Sequence, residues 1–248
     1  SASVGSVWLT DKDGNVIDSW TSVKDEPHVI KYLTVGKTYI LRESLAPLGY
    51  LKTTDVEFTV QDTAEVQKVE MKDDVPKALL IVNKKGEFLD KITLLDNVKG
   101  VVEHLFEYIT GSLSDVTFEI YAAEDIKAAD GVSPDYYAKD ELVATVTTDA
   151  NGVAEVSDLP VGKYYVKEEV RKAGYLPNEE VWNVDATYEN QNLAKIELNK
   201  EVENQPTETR ITKTDATTGN ELEGAKLQVI DKDGNVVEEW VSLSLIHI

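Results

Sequence analysis

The chain has 248 residues, 42% hydrophobic and 29% charged, a balance that fits a folded protein of two or three domains and excludes a disordered one. Its 46 acidic and 25 basic residues leave a net charge of −21, which argues against nucleic acid and anionic membranes as partners, because both need a basic patch. With no cysteine, disulfides, thiolate metal sites and cysteine nucleophiles are ruled out together, and the three histidines, His28, His104 and His247, lie far apart.

The first predicted element is a β-hairpin. Val7–Trp20 reads as an apolar-alternating strand, a Lys12-Asp13-Gly14-Asn15 turn and a second strand. Asp11, Asp13 and Asn15 faintly resemble a calcium loop. Glycine stands fourth there instead of sixth, and Ser22 occupies the place of the EF-hand glutamate. A plain turn is expected, as at Asp149–Gly152, and no metal or cofactor is assigned. A strand follows at Gly36–Glu43, and then Ala46-Pro47-Leu48-Gly49-Tyr50. Ala78–Val82 is the longest clear apolar run in the body of the chain, far short of a membrane span, and it leads into Asn83-Lys84-Lys85.

Apolar residues then fall at 88, 92, 95, 98, 102, 105, 106 and 109. That spacing predicts a helix over about 88–110, with Asp90 as cap and Gly111 as stop, although Gly100 weakens it. Val116–Tyr121 is a strand, and Ala128–Asp140, with Pro134, Tyr136 and Tyr137, is an inserted loop. Gly162–Glu168 repeats the pattern of Gly36–Glu43, and Ala173-Gly174-Tyr175 follows it. Leu227–Trp240 then repeats the first hairpin, with Asp231 in the place of Asp11 and Trp240 in the place of Trp20. The final Val241–Ile248 stretch turns apolar and departs from that repeat.

Period two places Glu43 on the face of Tyr39 and Leu41, and Glu168 on the face of Tyr164 and Val166. Either these carboxyls reach solvent beside their strand partners, or they are buried at a cost that demands a partner or a proton.

The Tyr39-x-Leu41-x-Glu43-x-x-x-Pro47-x-Gly49-Tyr50 string resembles the E-box of Cna-B or SpaA-type domains, the prealbumin-like β-sandwiches of Gram-positive pilins and adhesins. Ile211–Ala225, with Lys213 in its first strand and Leu222-x-Gly224-Ala225 after it, resembles the opening of such a domain. Asp115–Asp125 and Val146–Gly162 resemble the middle of one, and Val202-Glu203-Asn204-Gln205-Pro206 a closing strand. The resemblance implies a mainly β chain of tandem prealbumin-like (Ig-like) sandwiches, with one helical insertion in the second domain. It divides the chain at Pro76 and Pro206 into 1–75, a sandwich lacking its first strand; 76–206, a sandwich with the insertion; and 207–248, the start of a third. The chain is thus expected to be a piece of a longer protein. Short junctions without a Gly/Ser tract predict a semi-rigid array.

The same resemblance implies autocatalytic isopeptide bonds. A buried lysine that has lost its proton attacks the side-chain carbonyl of an asparagine or aspartate, while the E-box glutamate, held protonated, shuttles protons. In the second domain the implied residues are Lys84, Glu168 and Asn204, with Lys85 as a register alternative. In the first they are Glu43 and Asp74, without a lysine strand. The third has Lys213 without acid or acceptor; the parent protein is expected to supply the missing strands in cis, or the Lys213 strand of one chain could complement the first domain of another.

The implied function is a structural stalk module of a cell-surface adhesin or pilin, extracellular and attached to the cell wall, with neighbouring domains of the same chain as partners. One alternative is an adhesin module that binds a host extracellular protein or glycan through the 128–140 loop. The other is an accessory sandwich of a secreted enzyme. No histidine constellation, phosphate loop or nucleophile elbow suggests catalysis on an external substrate, so no enzyme is expected.

Overall fold

The computed structural model describes residues 4–96 and 102–242. Runs in which apolar residues alternate with polar ones build fourteen strands among them and no helix. Strands β1 (Ser6–Asp11), β2 (Val16–Thr21), β3 (Thr38–Leu45) and β4 (Val56–Thr59) form an antiparallel sheet in the order β2-β1-β3-β4.

A two-sheet sandwich follows. It comprises β5 (Lys77–Asp96), β6 (Val102–Ser112), β7 (Thr117–Ala122), β8 (Leu142–Thr147), β9 (Val153–Pro160), β10 (Gly162–Val170), β11 (Val181–Ala186) and β12 (Lys195–Asn204). One sheet runs β11-β10-β7-β8. In the other, β5 is the hub, paired in parallel with β12 and antiparallel with β6 and β9. The last hairpin is β13 (Lys226–Ile230) with β14 (Val236–Val241).

The two hairpins read from the sequence repeat have the same turn. Asp11 Oδ1 accepts hydrogen bonds from the backbone N–H groups of Asp13 and Asn15, and Asp231 Oδ1 from those of Asp233 and Asn235. Gly14 and Gly234 take the left-handed φ values of 86° and 88° that such a turn requires. These carboxylates are spent on holding backbone.

The helix expected over 88–110 is not there. Residues 97–101 lie outside the described residues, and the rest is the outer half of β5 and its return strand β6. Phe88 pairs with Ile109 and Leu89 with Tyr108. Successive pairs point to opposite sides of a ribbon, so both faces carry apolar residues and strict alternation is lost. A bulge between Leu89 and Lys91 shifts the phase once more. Intervals of three and four then mimic a helix, while the β-branched residues of β6 favour the strand. Of the final stretch that breaks the repeat, 243–248 also lie outside the described residues.

The sandwich core runs between its two sheets. Ala78, Leu80 and Val82 of β5 meet Phe118 and Ile120 of β7, Tyr164 and Val166 of β10, and Trp182 of β11, all buried. The N-terminal sheet repeats half of this plan, since β2-β1-β3-β4 has the topology of β8-β7-β10-β11. Its small core is Leu9, Tyr39 and Leu41. The segments where β9 and β12 would be repeated, at 28–35 and 61–76, run without ladder pairing. A backbone hydrogen bond joins this half to the sandwich, Lys52 N–H donating to Gln191 O at 2.8 Å, next to Leu51 N–H, which donates to Asp74 O within the half at 2.7 Å.

Candidate functional site

Along β5 the inward positions are Ala78, Leu80, Val82 and then Lys84, which is 1% exposed. Alternation aims the lysine into the core in the same way as the three apolar residues before it. Lys85 points outward and pairs with Glu201 at 2.7 Å. The backbone of Lys84 is clamped on both sides: its N–H donates to Gly152 O at 2.7 Å and its carbonyl accepts from Leu113 N–H at 2.9 Å.

Asn204, 2% exposed, closes β12, and Glu168, with its side chain 1% exposed, stands near the end of β10. The three side chains meet. Lys84 Nζ donates to Asn204 Oδ1 at 2.5 Å and lies 2.9 Å from Glu168 Oε2, and Asn204 Nδ2 donates to Glu168 Oε1 at 2.6 Å. Glu168 Oε2 is buried and accepts no directed hydrogen bond, although the ammonium is close. The Phe118 ring lies 6.0 Å from Nζ, and Trp182 packs edge-on against it. Burial in this apolar setting pushes the Lys84 ammonium below its ordinary lysine value, and the Glu168 carboxylate only partly opposes it. A lysine inclined to be neutral, a side-chain amide and a carboxyl within hydrogen-bond reach are the groups that amide exchange needs.

Both E-box glutamates sit at a bulge. Glu168 pairs with Phe118 just before the register slips to Val170–Thr117, and Glu43 pairs with Val7 just before it slips to Leu45–Ser6. Alternation has already turned each carboxyl inward, and the bulge that follows ends that alternation just beyond it. Glu43 is 3% exposed, on the face of Tyr39 and Leu41, and its Oε2 accepts from Thr53 N–H at 3.0 Å.

Asp74, the residue expected beside Glu43, is turned away from it. Asp74 is exposed and bonds its side chain to the Val75 N–H, while Asp73 faces Glu43. The reason is register. In the sandwich, β12 is held by its ladder with β5, but 61–76 has no such ladder, so counting back from the proline picks the wrong face. Burial and the nearby Glu43 charge raise the Asp73 carboxyl to about 6. Among the described residues, neither acid has a lysine or arginine at ion-pair distance.

A pH effect follows. A carboxyl whose folded pKa exceeds its unfolded value favours folding at low pH, and that contribution is lost as pH rises through the folded pKa. The gain in melting temperature from Asp73→Asn is expected to grow between pH 4 and pH 7, as read by calorimetry. A constant difference would show that the acid pair does not matter.

Lys213 is exposed, and its carbonyl accepts from Leu222 N–H at 2.8 Å. In the 128–140 loop, Tyr137 packs on the sandwich core, and Tyr136 lines a small cleft with Gly49, Pro76 and Tyr188. Tyr136 remains 43% exposed.

Sequence reasoning missed Phe118, Gly152 and Asp73. The first two were visible only as a strand residue and a turn glycine; the third differs from its neighbour in register alone. Among the described residues, no group of three or more His, Asp or Glu side chains could hold a metal ion.

A family model described as a SpaA prealbumin-like fold domain matches residues 6–75 and 108–202. No curated protein matches the chain. Among solved structures, the Bacillus anthracis TIE protein is similar over 98% of this chain and 39% of that one, at 21% identity and a TM-score of 0.58. The chain therefore spans well under half the length of that protein, and the likeness is one of fold. The minor pilin GBS52 of Streptococcus agalactiae aligns over 87% of both chains at 15% identity, with a TM-score of 0.35. A shaft pilin SpaA from Lactobacillus rhamnosus GG (D295N mutant) aligns over 85% of this chain and 95% of that one, at 13% identity and a TM-score of 0.34.

Proposed function

From the premise that this chain belongs to the SpaA prealbumin-like fold domain family, we propose that it is a load-bearing stalk module of an extracellular, wall-attached adhesin or pilin, stapled by an isopeptide bond between Lys84 and Asn204. We read it as three successive domains, 1–75, 76–206 and 207–248. The observation that carries the reading is the buried cluster of Lys84, Glu168 and Asn204, with contacts of 2.5 to 2.9 Å. A buried ion pair is a poor source of stability, because desolvating the charges offsets their attraction. A buried set of reactants poised for one covalent step is a better reason to keep them.

The step balances. A proton passes from Lys84 to Glu168 and turns the ion pair into a neutral amine and a neutral acid without moving heavy atoms. The bare Oε2 has room for that proton. Turning the Asn204 amide by half a rotation brings its oxygen to the protonated acid, which donates to it and polarises Cγ, and Cγ keeps its place beside the amine. Nζ attacks Cγ, the Cγ–Nδ2 bond breaks, and the nitrogen leaves as ammonia with a proton relayed from Nζ through Glu168. Positioning by three strands replaces any cofactor.

The array suits a stalk. Besides the Lys52–Gln191 backbone bond, Ala46 N–H donates to Gln191 Oε1 at 2.7 Å and Tyr188 OH to Tyr50 O at 3.1 Å, so the first two domains are tied together. The staple spans 120 residues and joins the first and last strands of its domain, the two by which a pulling force enters.

Intact mass tests the proposal. The wild-type chain is expected to be lighter than its sequence by one ammonia, with a tryptic peptide joining Lys84 to Asn204. Glu168→Gln keeps the shape but cannot relay the proton, and is expected to slow formation by about 10²–10⁴-fold. A full sequence mass in the wild type would sink the proposal.

A further inference from the structure

Past Glu168 the chain leaves β10, turns, and returns across the ends of the two strands that carry the other reactants. Gly174 takes a φ of 91° in that turn, and Tyr175 N–H donates to Lys172 O at 3.3 Å. Tyr175 is 7% exposed and belongs to the sandwich core. Its ring lies on the backbone of Gly86, the next inward position of β5 after Lys84. A Cβ on Gly86 would stand 2.5 Å from Tyr175 Cε1 and 3.0 Å from its Cζ, so glycine is what makes room for the ring. Phe88, the inward position after that, meets the ring edge-on at 6.1 Å. Asn204 stands opposite Gly86 in the ladder of β5 with β12. The ring thus fills the space beyond Lys84 and beside Asn204, while Phe118 lies on the core side of the amine.

The same turn grips both reactant strands. Tyr175 OH donates to Glu87 O at 2.6 Å, three residues past Lys84. Leu176 N–H donates to Gln205 O and Thr207 N–H to Gly174 O, each at 2.8 Å, and Tyr175 bridges to Pro206, all just past Asn204. The segment that brings the acid therefore also holds the strand of the amine and the strand of the amide. These bonds are not what pairs the two strands, because the β5–β12 ladder runs unbroken from Lys77–Lys195 to Gly86–Asn204 without them.

We propose that Tyr175 is a positioning residue for the isopeptide step: its ring seals the cluster of Lys84, Glu168 and Asn204 from water, and its hydroxyl and turn fix the spacing of the two reacting strands. The assignment rests on the reading of that cluster as reactants. Water exclusion matters because the amine is freed by poor solvation of its charged form. The charges that oppose this are Glu168 of β10 and, more weakly, Glu203 of β12, while β7 presents only the Phe118 ring. Water admitted beside Nζ returns the lysine toward its ordinary value, and the free amine then appears only at higher pH. Spacing matters because attack tolerates little displacement.

Kinetics over a range of pH test it. Chain kept in denaturant from synthesis onward carries no bond, so dilution into buffers of graded pH starts the step, and intact mass times the loss of ammonia. Tyr175→Leu keeps an apolar side chain without the ring. It is expected to slow the step by up to about 10²-fold and to move the rising limb of the pH profile to higher pH. Tyr175→Phe keeps the ring and loses only the bond to Glu87 O, so its limb is expected to stay in place while the rate falls by a smaller factor. Gly86→Ala pushes the ring away from the β5 side and is expected to move the limb as Tyr175→Leu does; it decides the matter should Tyr175→Leu fail to fold. A lowered melting temperature with an unmoved limb would show that Tyr175 only stabilises the fold, and would overturn the assignment. A wild type that loses ammonia beside a Tyr175→Leu chain of equal rate and limb would overturn this assignment alone. A wild type that keeps its ammonia would overturn the function proposed above and this assignment with it.

Discussion

Lys84→Met lowers the melting temperature of the sandwich by roughly 10–20 °C, the largest single effect expected in this chain. Methionine matches the length and apolar stem of lysine and leaves Glu168 and Asn204 bonded to each other through Nδ2 and Oε1. It also takes the cation from buried Glu168, at a cost of about 3–5 kcal/mol if the acid stays charged, so Lys84→Met is compared with Lys84→Met combined with Glu168→Gln, in which that cost is absent. The loss that remains is the cross-link. Closing a loop of 120 residues removes chain entropy from the unfolded state, about 4–5 kcal/mol in the loop-closure description used for disulfides. Lys84→Ala adds a cavity of several methylenes and an unpaired buried acid, and falls further. Calorimetry on the wild type and these variants separates the terms. Equal melting temperatures for the wild type and Lys84→Met would mean that no staple exists, and that the cluster is an ordinary buried polar network. The step needs a free amine and a protonated Glu168 together, so staple formation is also expected to rise as the amine is freed and to fall again where the pair loses its shared proton, giving a bell-shaped pH profile.

Gly152→Ala is the second large effect, and it acts on the lysine from outside the cluster. Gly152 sits at φ 73°, in the left-handed region that alanine occupies at a cost. A Cβ there would stand 2.5 Å from Lys84 O and 2.9 Å from Leu113 N, both backbone atoms that cannot swing aside. Strain and overpacking together are expected to cost about 2–5 kcal/mol. The ladder atoms under pressure are those that hold the Lys84 backbone, so the amine also moves away from Asn204. Near-attack geometry tolerates little displacement. The expected result is a lowered melting temperature together with a mass that keeps its ammonia. A Gly152→Ala chain that forms the staple at the wild-type rate would show that the clamp on Lys84 does not set the reaction geometry. Gly14→Ala is the control, with the same sign of φ in an open hairpin turn where a Cβ meets nothing.

The sequence by itself determined what depends on neighbours in the chain. Period two put Glu43 with Tyr39 and Leu41, and Glu168 with Tyr164 and Val166, and both carboxyls are buried on those faces. The Asp-Gly-Asn turns, the repeated hairpin and the strand character of 116–121 and 162–168 rest on local φ preferences and alternation, and they stand in the fold. The tertiary structure decided everything that depends on which strand lies beside which. Lys84 and Lys85 are equal by propensity, and the pairing of β5 with β9 and β12 turns the first inward. Asp73 and Asp74 are equal in the same way, and without a partner ladder the inward one is not the residue that proline counting selects. The paired strands at 88–96 and 102–112 carry apolar residues on both faces, so their period is hidden until β6 pairs with β5. Register is a relation between distant segments, and a slip of one residue exchanges the faces of a strand. One chain read alone contains the faces but not the choice between them.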